Sequence, residues 1–194
     1  MNYLGHIFLS GTNEQLLVGN FIGDYVKGKQ YENYPPEIRK GIILHRFIDE
    51  FTDSNSHWMK IRELLRPLYG RYSGVVADVL ADHFLAANWS HFSSEQLSWY
   101  SKWVYAIFLR NFDVMPKRVQ NFLPFLIQHR RLQSYAQLSG LKMTLRIMAH
   151  YTSLPEASDL AMKLIRGNYA EFQQHSILFL DEAVQFAIEK RISI

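Results

Sequence analysis

The apolar residues of this chain recur mostly at i, i+3 and i+4, and the period-2 alternation of half-buried strands is rare. Glycine and proline residues, among them Gly28, Pro35 and Pro155, interrupt this pattern. It predicts a short turn or helix near residues 2–9, followed by helices near 13–27, 37–53, 56–68, 74–89, 94–111, 116–129, 134–149, 156–172 and 174–190. Because no linker, low-complexity tract or internal repeat divides the chain, we predict one compact all-α multi-helix domain over residues 1–194.

Composition limits the chemistry that this chain can support. It contains no cysteine, so disulfides and thiolate metal sites are excluded, any metal must be bound by nitrogen and oxygen, and a cytoplasmic location is favoured. No apolar stretch approaches the ~20 residues needed to span a bilayer, and the N-terminal residues lack the pattern of a signal peptide. We therefore expect a soluble protein that does not contact membranes.

The positive charge of the chain is concentrated in one segment. The net charge is only +3, yet residues 102–150 contain eight Lys or Arg residues and a single acidic residue, Asp113. Such a segment suggests an acidic partner, which could be a protein, a phosphate or a nucleic acid. The alternative is a helical face that simply meets water. A nucleic-acid partner is not expected, because the segment has no recognisable binding motif.

One face of the predicted helix 37–53 carries charged residues. Successive residues of a helix rotate by about 100°, which places His45, Arg46, Asp49 and Asp53 on one side and the apolar residues on the other. Mid-helix aspartate is unfavourable, and surface helices usually use glutamate and lysine instead. A histidine four residues before an aspartate is a good ligand pair for a divalent metal. The alternative is again a solvated face.

A second charged group lies in the predicted helix 74–89, which is apolar on most sides and is therefore expected to be buried. Asp78 and Asp82 share a face of this helix, and buried carboxylates there would need a cation, a hydrogen-bond network or a metal. His83 could be a ligand, a partner of a ligand or a core histidine. Two further residues, His6 and Asp24, are weak signals alone, although Gly23 beside Asp24 would allow close approach of a backbone.

A site built from histidine and several aspartates suits Mn²⁺, Mg²⁺ or Fe²⁺. Such a metal lowers the pKa of a bound water and polarises phosphoryl oxygens, so hydrolysis of a phosphoester is the natural reaction. Arg46 could neutralise the charge that develops on those oxygens. The chain has no GxxxxGK[ST] loop and no GxSxG elbow.

Several motifs of residues 1–90 occur together in a known family. They are Met1-Asn2-Tyr3-Leu4-Gly5-His6, the run GNFIGDYVKG at residues 19–28, Tyr34-Pro35-Pro36, Gly41 with His45-Arg46-x-x-Asp49-x-x-x-Asp53, and Asp78-Val79-x-x-Asp82-His83-Phe84-Leu85 with Trp89. With these motifs the chain resembles the acyl carrier protein phosphodiesterases, which are described as a distant, all-helical variant of the HD-domain metal phosphohydrolases. The resemblance implies a Mn²⁺-dependent enzyme that cleaves 4′-phosphopantetheine from a serine of holo-acyl carrier protein by a metal-activated water.

The resemblance also implies the residues of the site. Asp24, His45, Asp49 and Asp82 are expected to bind the metal, and His83 or His6 to assist proton transfer. Arg46, Asp53 and Asp78 are expected nearby. Unlike ordinary HD enzymes the chain has no His-Asp doublet, since Asp82-His83 has the reverse order. The basic segment 102–150 would bind the acidic carrier protein.

The sequence is also compatible with two other functions. One is a helical metal phosphohydrolase that acts on a nucleotide or another small phosphodiester. The other is a helical binding protein without enzymatic activity, in which the Asp and His residues are structural.

Overall fold

The computed structural model describes all 194 residues, and the chain is helical from end to end without a β-strand. The α-helices are α1 Tyr3–Leu9, α2 Glu14–Ile22, α3 Pro36–Ser54, α4 Ser56–Tyr69, α5 Ser73–Ala87, α6 Trp89–Phe92, α7 Leu97–Arg110, α8 Lys117–Gln128, α9 Arg131–Ser134, α10 Leu138–Tyr151, α11 Ser158–Gly167 and α12 Tyr169–Ser193. Short 3₁₀ turns cover Gly23–Tyr25, Gln30–Asn33, Gly70–Tyr72 and Phe112–Val114. The predicted all-α fold is confirmed.

Most helix positions agree with the prediction, and the differences have local causes. The predicted helix 13–27 ends at Ile22, where the backbone tightens into a 3₁₀ turn that carries Asp24. The predicted break between residues 172 and 174 is wrong, because α11 ends at Gly167 and α12 continues through that region to Ser193. The side chain of Asn168 donates to the carbonyl of Leu164 and closes the last turn of α11.

The core is one continuous cluster of 49 buried hydrophobic residues to which nearly every helix contributes. The long helix α12 packs against α3, α4 and α5 and so joins the early part of the chain to the late part. The helices therefore form a single compact domain. None of them combines the length and the hydropathy that crossing a bilayer requires.

Two glycines let α2 and α3 cross with their backbones in contact. A Cβ atom at Gly19 would lie 2.0 Å from the carbonyl oxygen of Ile38, and one at Gly41 would lie 2.1 Å from that of Leu16. Only glycine fits such a crossing. The crossing brings the main chain of Asn20 in α2 into contact with the imidazole of His45 in α3.

Candidate metal centre

Two buried imidazoles and two carboxylates meet where α1, α3 and the 3₁₀ turn after α2 converge. The rings of His6 and His45 stack with their centroids 4.0 Å apart. Their Nε2 atoms each lie 3.2 Å from a carboxylate oxygen of Asp49. Asp24 approaches His45 Nε2 to 3.5 Å. His6, His45 and Asp49 each offer a ligand atom, and these atoms lie within 4.8 Å of one another. We call these residues, with Asp24, the His/Asp cluster.

Asn20 fixes the orientation of both imidazoles. Its side-chain amide donates to the His6 carbonyl at 2.8 Å and to Ser10 Oγ at 2.9 Å, so Oδ1 must face His6 Nδ1, 2.9 Å away. The main-chain carbonyl of Asn20 accepts from His45 Nδ1 at 2.8 Å. Because both acceptors require a proton on Nδ1, the neutral form of each ring has its lone pair on Nε2. Metal-binding histidines are oriented in this way by hydrogen bonds to the other nitrogen.

The Nε2 atoms fit a cation. Both are buried, and neither makes a well-directed hydrogen bond, although the oxygens of Asp49 are near. A lone pair that faces a carboxylate oxygen is repelled by it, so either a proton or a metal ion must lie between them. The donor set of nitrogen and carboxylate oxygen is one that Mn²⁺, Mg²⁺ and Fe²⁺ accept. On both grounds the residues present suit a divalent metal.

The pKa shifts of the cluster residues also favour a cation between the carboxylates. Burial and the neighbouring His45 lower the pKa of His6 to about 4, so His6 is neutral near pH 7. Burial also opposes the charged form of His45, but the nearby carboxylates of Asp24 and Asp49 outweigh it and raise its pKa to about 9. The pKa of Asp49 is held well below its usual range by both histidines, against the effect of its own burial. The cluster therefore stabilises one positive charge between its carboxylates.

One side of the cluster is open to solvent. The side chains of Asp24 and Asp49 are 65% and 45% exposed, whereas those of His6 and His45 are almost fully buried. Gly23 allows the turn that carries Asp24 to pack closely against His45, since a Cβ atom there would lie 2.2 Å from Cγ of His45. A site with buried nitrogen donors and exposed carboxylates has room for a substrate at its open side.

Asp82 and Asp78 lie beside the cluster but have other partners. Both oxygens of Asp82 accept main-chain N–H groups at the start of α1, from Leu4 at 2.8 Å and from Gly5 at 2.9 Å. Asp78 forms an ion pair of 2.8 Å with the amino group of Met1. The structure therefore places Asp82, which was expected as a ligand, where it holds α1 and so positions His6.

The remaining expected residues lie outside the cluster. His83 Nδ1 donates to the carbonyl of Tyr135 at 2.8 Å, and its Nε2 lies 3.1 Å from the Tyr169 hydroxyl. Arg46 donates to the carbonyl of Gly28 at 2.6 Å and that of Val26 at 3.2 Å, so it holds the loop that follows Asp24. Asp53 is exposed at the end of α3.

Comparison with known proteins assigns the chain to a family. The sequence model described as "Acyl carrier protein phosphodiesterase" matches residues 1–183. The chain belongs to the acyl carrier protein phosphodiesterase family. A relative of that name from Yersinia pestis is 32% identical over 90% of this chain and 88% of its own length. One from Yersinia enterocolitica is 31% identical over the same shares, and one from Serratia proteamaculans is 29% identical over 99% of this chain and all of its own. No solved structure matches.

Membership of the acyl carrier protein phosphodiesterase family confirms the resemblance drawn from residues 1–90, and it extends the resemblance over most of the chain. The relationship to HD-domain enzymes stays a prediction. Asn20 is the residue of the site that the sequence reasoning assigned no role. The available signal was a buried polar residue within the apolar run Leu16–Ile22 of α2.

Proposed function

We propose that this protein hydrolyses the phosphodiester that joins 4′-phosphopantetheine to a serine of holo-acyl carrier protein, with a divalent metal bound by His6, His45 and Asp49. The reaction class and the substrate rest on the family. The single observation that supports the metal is the pair of buried Nε2 atoms that face Asp49. Mn²⁺ is the preferred ion, with Mg²⁺ and Fe²⁺ as alternatives.

The residues of the His/Asp cluster divide the work between binding and proton transfer. A bound divalent ion would lower the pKa of water and polarise phosphoryl oxygens. His6 offers a neutral nitrogen, and His45 would do so when the ion displaces its proton; Asn20 fixes the direction of both rings. Asp24 is the most exposed member of the cluster, so its carboxylate can take the proton that the attacking water loses and pass it to the solvent. The bond between phosphorus and the serine oxygen breaks as the water attacks, and the serine oxygen takes up a proton from the solvent.

The carrier protein is proposed to bind at the basic segment, chiefly at α8. Three of the eight basic residues are engaged within the protein: Arg110 with Glu14, Lys142 with Asp159, and Arg131, which is buried. Lys117 and Arg118 on α8 are exposed. Burial raises the pKa of the Tyr25 phenol, and the positive charge of Arg118 opposes that rise. Arg118 is therefore close to Tyr25. An acidic partner on α8 would therefore lie next to Asp24.

The test is the release of 4′-phosphopantetheine from holo-acyl carrier protein, followed by mass spectrometry with Mn²⁺ and after chelation. We expect release only with the metal, and we expect His45→Gln to reduce it at least about 100-fold. His91→Gln is the matched control, because the His91 side chain is exposed and its polar contact is with Asp181 at the surface.

Any of four results would contradict the proposal. Release by the chelated protein would exclude the metal, and full activity of folded His45→Gln would exclude the site. Hydrolysis of free nucleotides without any release from holo-acyl carrier protein would favour a small-molecule phosphodiesterase. Absence of both activities and of Mn²⁺ binding would favour a binding protein.

A further inference from the structure

A partly enclosed cavity adjoins the His/Asp cluster. It lies between the N-terminal end of α1, α8 and α10, and its volume is about 350 Å³. This is within the range of about 300–1,000 Å³ that small-molecule pockets occupy. Its walls are mostly apolar, with Phe122 and Met148 among the lining residues. We call it the aromatic cavity.

Two tyrosines of the aromatic cavity are close to the His/Asp cluster. Tyr3 and Tyr25 both line it, and their hydroxyls are 2.9 Å apart. Tyr25 directly follows Asp24, and Tyr3 precedes His6 by one turn of α1. Burial raises the pKa of both phenols and the negative charge of Asp24 contributes to the rise, so the two tyrosines are close to the cluster as well as to the cavity.

The polar end of the aromatic cavity holds a buried cation without an acidic partner. Arg131 is only 9% exposed and lines the cavity. Its guanidinium donates to the hydroxyl of Thr144, and it makes no ion pair with Asp or Glu. A guanidinium has five N–H donors, and a buried charge is costly unless acceptors satisfy it. Only one of these donors has a protein acceptor, the Thr144 hydroxyl, so a ligand in the cavity could supply acceptors for the others.

We propose that the aromatic cavity binds the pantetheine arm of the substrate, with Arg131 donating to its amide carbonyls. This inference rests on the proposed function, since the phosphate end of the arm must lie at the His/Asp cluster. The arm combines a dimethyl-substituted carbon chain with two amides, a hydroxyl and a thiol. The apolar walls match the carbon chain, and the amide carbonyls are neutral acceptors for Arg131. Arg131 is thus a residue for substrate positioning and specificity, whereas the reacting atoms lie at the cluster.

Two variants test the aromatic cavity. Arg131→Met removes the N–H donors of the guanidinium but keeps an unbranched side chain. Ile147→Trp places a larger side chain in the cavity from α10. For each we expect the KM for holo-acyl carrier protein to rise about tenfold with little change in kcat, because binding of the arm is lost and the chemistry is not. Met143→Trp is the matched control, since Met143 is on the same helix and 50% exposed to solvent.

A second measurement does not depend on hydrolysis. Free pantetheine, which lacks the phosphate, should bind the wild-type protein in calorimetry, and both cavity variants should weaken that binding about tenfold. An unchanged KM and unchanged pantetheine binding in both variants would overturn the inference, and so would equal losses in Met143→Trp. If the wild-type protein binds pantetheine through Arg131 but releases nothing from holo-acyl carrier protein, the proposed function fails and the cavity assignment stands.

Discussion

At the scale of single residues, Asn20 determines how the metal centre is oriented. Its Oδ1 accepts from His6 Nδ1, and its main-chain carbonyl accepts from His45 Nδ1. Replacing Asn20 with leucine removes the side-chain amide and leaves the main-chain carbonyl, so we expect His6 to lose its fixed orientation while His45 keeps it. Loss of such an orienting group typically weakens metal affinity 10- to 100-fold. Calorimetric titration with Mn²⁺ measures the effect.

Asn121→Leu is the control for Asn20→Leu, because Asn121 is exposed on α8. Unchanged Mn²⁺ affinity in folded Asn20→Leu would show that the side chain does not orient a ligand. Equal weakening by Asn121→Leu would show that the loss is not specific to the site.

The sequence predicted the members of the site unequally well, for physical reasons. His45 and Asp49 are four residues apart on one helix, so their contact follows from helix geometry alone. His6 and Asp24 meet them only through packing of α1 and the turn after α2, which spacing does not encode. The surroundings of Asp82 could not be predicted, since a buried carboxylate can bind a metal or accept backbone N–H groups from another helix equally well.

At the scale of helices, the glycine crossing of α2 and α3 is the least tolerant contact near the site. A Cβ atom at Gly41 would lie 2.1 Å from a main-chain oxygen, which no side-chain rearrangement can relieve. Gly41→Ala should therefore lower the free energy of unfolding by at least about 2 kcal/mol, although alanine alone favours a helix by about 1 kcal/mol. Urea denaturation measures the change.

Gly167 provides the matched control for Gly41. It is also helical, at the end of α11, but nothing lies within 4 Å of the position of a Cβ atom there. Gly167→Ala should be neutral or stabilising by up to about 1 kcal/mol. If both substitutions changed stability by the same amount, close packing of α2 on α3 would not be the cause.

The attachment of α1 to α5 depends on Asp82. Its two oxygens accept the N–H groups of Leu4 and Gly5, which have no partner within their own helix. Asp82→Ala would leave both groups buried without an acceptor, at a cost of about 1–3 kcal/mol for each. We expect thermal unfolding to show a loss of at least about 2 kcal/mol, whereas Asp113→Ala, on an exposed acid, should stay within about 0.5 kcal/mol. Equal losses would contradict this role.

The helix pattern was more predictable than the crossings between helices. The start of α3 follows from Pro36 in its first turn, and that of α4 from Asn55, whose side chain accepts from two N–H groups of that helix. Gly19 and Gly41 gave no sequence signal that they would face each other, because their contact is between backbones of different helices. The end of α11 at Gly167 was missed because a hydrophobic period continues across it.

At the scale of the whole molecule, exposed positive charge of the basic segment lies on a helix that also lines the aromatic cavity. Lys117 and Arg118 extend into solvent from α8, which also contributes Phe122 to the aromatic cavity. A carrier protein on α8 would thus present its pantetheine arm to the cavity and its phosphodiester to the His/Asp cluster. Charges at the edge of such an interface mainly change the rate of association.

Reversing both charges, with Lys117→Glu and Arg118→Glu, should therefore lower kcat/KM for holo-acyl carrier protein at low salt and flatten its dependence on ionic strength. The same pair of changes at Lys163 and Arg166 is the control, because it alters net charge equally on α11, which packs against α4 and α10. Steady-state rates measured across a range of salt concentrations distinguish the two double variants. At 0.1 M ionic strength, interactions between exposed charges more than about 10 Å apart are largely screened, so charges close to the interface have the larger effect. Identical salt curves for both double variants would place the docking surface elsewhere than α8, because net charge alone would then explain the effect.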